Sequence, residues 1–169
     1  IQHARAGRPS GVQIKVNSIV DEALIDALYT ASQAGVPVDL WVRGICAVRP
    51  GVPGLSENIR VRSILGRFLE HSRLYWFANG GHAQVGIGSA DLLHRNLDRR
   101  VEVIVGLANA AHIAQIEHLF DLAFDDGTAS WWLDGERWTQ RTLNDEGEPL
   151  MDLQEHLISQ MGQRRAVER

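Results

Sequence analysis

The stretch from Val12 to Val42 limits this chain more than any other. Val12-Gln13-Ile14-Lys15-Val16 alternates apolar and polar residues, the period of a β-strand. Asn17 and Ser18 follow, and either can cap a helix. Asp21 to Ala34 has helical spacing, with Ala23, Leu24, Ala27, Leu28 and Ala31 on one face. Gly35 supplies a C-terminal stop and Pro37 blocks continuation. Val38 to Val42 then reads as a second strand. A strand, a helix and a strand this closely spaced imply parallel strands joined by a right-handed crossover, and so an α/β fold.

The remaining elements extend that unit. Asn58 to Leu65 leans towards a strand, because Arg60 and Arg62 alternate with Ile59, Val61 and Ile64. Arg67 to His71 suggests a helical turn, and Arg73 to Ala78 a strand. Asn79-Gly80-Gly81 is a tight turn leading into a strand at Gln84 to Gly88. Asp91 to Asp98 reads as a short helix or loop, Val101 to Val105 as a strand, and Asn109 to Asp125 as a strongly periodic helix. Ala129 to Leu133 and Arg137 to Gln140 flank a hairpin turn at Asp134-Gly135, and Asp152 to Gln163 closes the chain as a helix. The expected architecture is one α/β domain over residues 11–163, a mixed sheet flanked by helices. Residues 1–10 are expected to be a linker or the end of a preceding helix, and 164–169 a frayed tail.

At 169 residues, 44% hydrophobic and 22% charged, the chain can bury a real core. No apolar run is long enough for a membrane-spanning helix, no signal peptide is visible, and the first residue is not Met. A piece of a longer chain is therefore expected. The single cysteine, Cys46, fits a reducing compartment and reads as a small buried hydrophobe. Trp131, Trp132 and Trp138 read as core or domain-contact residues, and His112 and His118 as surface residues. The net charge of −4 argues against a general nucleic-acid binder. The charge is unevenly spread: residues 41–102 carry nine arginines against five acids, whereas 103–169 are strongly acidic. Every basic residue except Lys15 is Arg, whose planar fork suits two-point contacts to phosphate or carboxylate.

Three clusters could carry chemistry. Arg43, followed by Gly44, stands at the carboxyl end of a strand, where open α/β sheets bind ligands. Taken singly, it fits a surface salt bridge as well. His71 lies between Glu70 and Ser72-Arg73 and has the residue type for proton transfer near neutrality, although a surface or core histidine fits too. Gly88-Ser89-Ala90-Asp91, followed by Asn96 to Val103, offers a hydroxyl beside interleaved acids and arginines that could form an internal ion network. No P-loop, dinucleotide fingerprint or zinc-ligand cluster occurs.

Taken in order, these blocks resemble a known family. Asn17-Ser18-Ile19-Val20-Asp21, Leu40-Trp41-Val42-Arg43-Gly44-Ile45-Cys46, Ser56-Glu57-Asn58-Ile59-Arg60, Arg67-Phe68-Leu69-Glu70-His71-Ser72-Arg73, Ser89-Ala90-Asp91 and Asn96-Leu97-Asp98-Arg99-Arg100-Val101-Glu102 are similar to the C-terminal catalytic region of the large bacterial polyphosphate kinase. The resemblance runs from about residue 11 to about residue 145. It implies a phospholipase D-like fold and an enzyme that moves the terminal phosphate of ATP reversibly onto polyphosphate, with magnesium. It also implies that Arg43 and His71 contact nucleotide phosphates, with His71 a supporting acid/base or donor. Arg60, Arg73 and Ser89 are further candidates for the polyphosphate path.

The phospholipase D pattern itself is altered. Arg73 stands where that pattern has Lys, Ala78 where it has Asp, and Asp91 where it has Asn. No counterpart of the family's phosphorylated-histidine block is present, and its magnesium-linked arginines also lie upstream. The chain thus resembles a fragment, with no metal site of its own, expected to be inactive alone. The parent is expected to be cytoplasmic, without a membrane span, and homo-oligomeric at full length. Two other readings remain open: a dimeric phospholipase D-like phosphodiesterase with His71 as nucleophile, and a non-catalytic polyphosphate-binding module.

Overall fold

The computed structural model describes residues 1–167, with side chains described to residue 162. The β-α-β unit forms as expected. β1 (Val12–Val16) and β2 (Val38–Val42) pair in parallel, Val12 opposite Val38 and Val16 opposite Val42, with α2 (Glu22–Gln33) crossing between them. Asp21, rather than Asn17 or Ser18, caps α2, accepting the Leu24 amide at 3.0 Å. The buried face also differs from the expected one and consists of Ile25, Leu28, Ala31 and Ser32. Gly35, at φ 81°, takes the left-handed turn that releases the chain into β2.

The sheet grows on both sides of this unit. β3 (Ile59–Ser63) adds in parallel to β2. β4 (Arg73–Phe77) adds antiparallel to β1, continues through a 3₁₀ turn at Asn79–Gly81 into β5 (Gln84–Gly88), and β6 (Ile104–Gly106) closes that edge. β7 (Ser130–Asp134) and β8 (Arg137–Arg141) form the opposite edge, giving the order β6-β5-β4-β1-β2-β3-β7-β8. Two further helices are short, α1 (Gln2–Arg5) and α3 (His94–Asp98), and Ala4 of α1 packs against the core on the α2 side. β6 starts three residues later than expected, and Arg67–His71 is irregular rather than helical.

Strand alternation sends side chains to two cores. Ile14, Val16, Val38, Leu40, Val42, Ile59 and Val61 pack against α2. On the other face, Trp41, Ile64 and Leu74 meet Phe120, Ala123 and Phe124 of α4 (Ala110–Phe124) and Leu153 of α5 (Leu153–Val167). Asn109 caps α4 through the Ala111 amide, and His112 and His118 on this helix are exposed. The frayed tail expected at 164–169 lies partly outside the described residues; the backbone of α5 runs to Val167.

This second face carries charge as well as apolar bulk. Arg62 is only 3% exposed. Its guanidinium donates to the Ala123 and Asp125 carbonyls at 3.4 and 2.8 Å and pairs with Asp126 at 2.6 Å. It therefore satisfies the free carbonyls at the end of α4, where the helix dipole favours a cation. Trp132, half-buried like Trp131 and Trp138, is flanked by Arg62 at 4.0 Å and Arg141 at 4.4 Å.

Cys46 sits half-buried beyond β2, and burial raises its thiol pKa to about 11. The thiolate is a small minority at pH 8, so alkylation by iodoacetamide is expected to be much slower than that of free cysteine and to accelerate towards pH 11. Mass-spectrometric labelling rates equal to those of free cysteine at pH 8 would contradict this.

Candidate functional site

The parallel strands β1, β2 and β3 end on one side of the sheet, where β4 begins and β5 finishes. The loops beyond them are joined main chain to main chain. Ile19, fully buried, donates its amide to Ile45 and accepts from Ala47, while Leu92 accepts from Val20 and donates to Ser18. Segments 17–20, 44–47 and 89–92, far apart in sequence, thus form one floor. Gly44 fits closely there: its amide reaches the Asn17 carbonyl at 2.7 Å, and a Cβ would stand a tight 3.0 Å from that oxygen.

Three cations gather on this floor, and their partners differ. Arg73 makes a two-point contact with Asp91, at 3.1 and 2.9 Å. Asp91 also accepts the Asn17 amide at 2.7 Å. Burial works against ionisation of Asp91, yet Arg73 and the Asn17 amide outweigh it and hold the carboxyl below its ordinary value. Lys15 is 4% exposed, pairs with Glu70 at 2.9 Å and lies 4.8 Å from the Trp41 ring. Burial lowers its pKa despite the pull of Glu70, and the nearby Arg73 and Arg43 add to the lowering.

Arg43 is different. Its Nε donates to the neutral Asn17 side chain at 2.9 Å, and among the described residues it has no carboxylate partner. It is half-exposed and lines a cavity of about 150 Å³ with Ile64 to Glu70. His71, directly after this wall, is exposed.

The other expected site residues are placed as follows. Ser89 is at the same end of the sheet, but its hydroxyl donates to Glu102. That bond and one from Asn96, at 2.6 Å, hold Glu102 below the usual carboxylate range. Arg60 is not brought to this end. It pairs with Asp39, three residues before Val42 on β2, through bonds of 2.8 and 3.0 Å. The site therefore unites Arg43, His71, Arg73 and Ser89 and leaves Arg60 aside. Sequence reasoning missed Asn17, Lys15 and Gln154, all polar residues whose partners lie far along the chain.

The fold and the chain both have known counterparts. A family model described as polyphosphate kinase C-terminal domain 2 matches residues 1–154. The polyphosphate kinase of Streptomyces coelicolor is 62% identical over 99% of this chain, and that of Mycolicibacterium gilvum 50% identical over 98%. The chain spans 22% of the length of each of these relatives. Among solved structures, polyphosphate kinase from Porphyromonas gingivalis superposes at a TM-score of 0.89, with 30% identity, covering 98% of this chain and 25% of that one. NucT from Helicobacter pylori, at 12% identity and a TM-score of 0.52 over 71% of this chain and 82% of that one, shares the fold alone, which is phospholipase D-like. The chain belongs to the polyphosphate kinase C-terminal domain family.

Proposed function

We propose that this chain supplies the phosphate-gripping part of a polyphosphate kinase active site, in a parent protein that reversibly transfers the terminal phosphate of ATP to polyphosphate. One observation carries the reading: of the three cations at the strand ends, Arg43 alone lacks a carboxylate. Lys15 and Arg73 are neutralised, so a polyanion arriving at the mouth meets the Arg43 guanidinium already oriented through its Nε. Its terminal nitrogens take two phosphate oxygens, the geometry that suits Arg. His71, exposed and next in sequence to the Glu70 wall of the cavity that Arg43 lines, donates a hydrogen bond or proton to a phosphoryl oxygen. The phosphoryl-accepting histidine belongs to another part of the parent chain. Phosphoryl transfer depends mainly on positioning and charge stabilisation, so a site divided between two parts of one protein is workable.

Magnesium is the metal expected of the complete enzyme. Among the described residues no group of three or more His, Cys, Asp or Glu side chains could hold a metal ion. The acids at the mouth are also engaged: Glu70 with Lys15, Asp91 with Arg73 and Glu102 with Ser89 and Asn96. These residues, already engaged with one another, do not fit a magnesium site. A cytoplasmic location suits a protein that uses ATP, and no helix among the described residues is long and apolar enough to cross a membrane. Homo-oligomeric assembly of the parent rests on the family resemblance alone.

The kinase reading is favoured over a dimeric phosphodiesterase by the match to kinase relatives along nearly the whole chain. It predicts that the 169-residue chain alone binds polyphosphate weakly, with Kd on the order of micromolar or above, and makes none from ATP. Radiolabelled phosphate from ATP appearing in long polyphosphate with this chain alone would overturn the division of labour. Hydrolysis of a phosphodiester by a dimer, lost in His71→Ala, would overturn the kinase reading itself.

A further inference from the structure

Residues 65–72 carry His71, yet they have no regular secondary structure. Among the described residues, none of them makes a main-chain-to-main-chain hydrogen bond. Leu65, Phe68 and Leu69 are largely exposed, so apolar packing does not bury this segment either. A segment in that condition is ordinarily mobile. Here it is held by side chains from elsewhere.

Two of those side chains are buried and come from opposite ends of the chain. Gln154, 7% exposed on the first turn of α5, makes a closed pair with Phe68. Its carbonyl accepts the Phe68 amide at 2.8 Å, and its NH₂ group donates to the Phe68 carbonyl at 3.0 Å and to Glu70 at 2.8 Å. Lys15 on β1 takes the other oxygen of Glu70 at 2.9 Å. It also donates to the Ser72 carbonyl at 3.1 Å and hydroxyl at 2.9 Å. Arg73 donates to the His71 carbonyl. His71 thus has a gripped residue on each side. Gln154 is itself placed firmly: Asp152 accepts its amide at 2.9 Å, and neighbouring Leu153 is 1% exposed in the core. Gly66 leaves room for it, because a Cβ there would lie 2.4 Å from the Gln154 amide group.

We infer that Lys15 and Gln154 are positioning residues for His71, gripping its segment from β1 and from α5 through the shared Glu70 carboxylate. Neither residue reaches the exposed imidazole; both set where it stands relative to Arg43. The inference rests on the proposed role of His71 in phosphoryl transfer, and the experiment separates the two.

In the full-length kinase, Gln154→Leu, Gly66→Ala and Lys15→Met are compared with the parent. Gly66→Ala dislodges the flexible end of Gln154 without altering its chemistry, so it tests the grip even if Lys15→Met fails to fold. Each variant is expected to lower kcat by about tenfold to a hundredfold, the range for a misplaced reacting group. KM for ATP should stay within about threefold, because Arg43 is untouched. Amide exchange of the 65–73 segment should accelerate by about tenfold or more while the β-strands stay protected. The Gln154→Leu, Gly66→Ala double variant should be no worse than either single one, since both remove the same grip.

Unchanged exchange overturns the grip. Faster exchange with kcat within about threefold overturns its catalytic role. His71→Ala is measured alongside: if that variant keeps parental turnover, the reading of the site fails. In that case exchange alone decides whether the grip exists.

Discussion

Arg43→Ala in the full-length kinase is expected to lower kcat/KM for ATP by about 100- to 1,000-fold, or roughly 3–4 kcal/mol of transition-state stabilisation. The protein should fold normally. The Arg43 side chain makes one hydrogen bond, to Asn17, and Asn17 keeps its main-chain bonds to Gly44 and Asp91 without it. The loss therefore falls on the ligand. Arg43→Lys should recover only part of it, since it restores the charge but not the two-point fork. Arg60→Ala is the natural control. It removes an equally charged residue whose partner is Asp39, towards the amino end of β2 and away from the site, and should leave kcat/KM within about twofold. Steady-state kinetics on the three variants decide the matter: Arg43→Ala within about threefold of the parent would remove Arg43 from the site.

Asp91→Ala should have the largest effect on stability, about 3–5 kcal/mol, the range for stranding one member of a buried ion pair. Asp91 is 6% exposed and neutralises Arg73 while accepting the Asn17 amide. Its removal leaves a largely buried guanidinium without its counter-charge and an orphaned amide on the floor of the site. The same pair sets a pH dependence. The folded pKa of Asp91 lies below its unfolded value, so the folded protein releases the proton more readily than the unfolded chain. The resulting stabilisation is fully present above the unfolded pKa of roughly 4 and is lost as pH falls through the folded value. Urea unfolding of the parent and of Asp91→Asn should differ clearly at pH 7 and converge in acid. A constant difference across that range would exclude the carboxylate charge as the source.

The strand–helix–strand core was legible because local rules agree there: strict alternation, helical spacing, then Gly35 and Pro37. The site was legible only through the ordered blocks. Alternation in β3 places Arg60 on a face but not at an end of its strand, so Arg60 stayed a further candidate behind Arg43. Lys15 was overlooked for a related reason. A polar residue in an alternating strand suggests a solvent-facing side, but α4 and α5 cover that side and bury the lysine. At the expected helical turn over 67–71, Gln154 takes the Phe68 amide and carbonyl, and that carbonyl is one a helix would bond internally. Gln154 lies 86 residues from Phe68, a separation that no local pattern encodes. The arginine-rich middle of the chain was also ambiguous: Arg60, Arg62 and Arg73 serve ion pairs of the fold, whereas Arg43, held by the neutral Asn17, has no carboxylate partner among the described residues.

The main-chain floor around Ile19 also bears on the thermodynamics of ligand capture. The amides and carbonyls of segments 17–20, 44–47 and 89–92 are already bonded to one another, so their conformational entropy is lost when the chain folds. Arg43, oriented by Asn17, then meets its phosphate without first ordering a loop. Preorganisation of this kind leaves desolvation and charge, rather than backbone freezing, as the main terms that govern how tightly the mouth holds an anion.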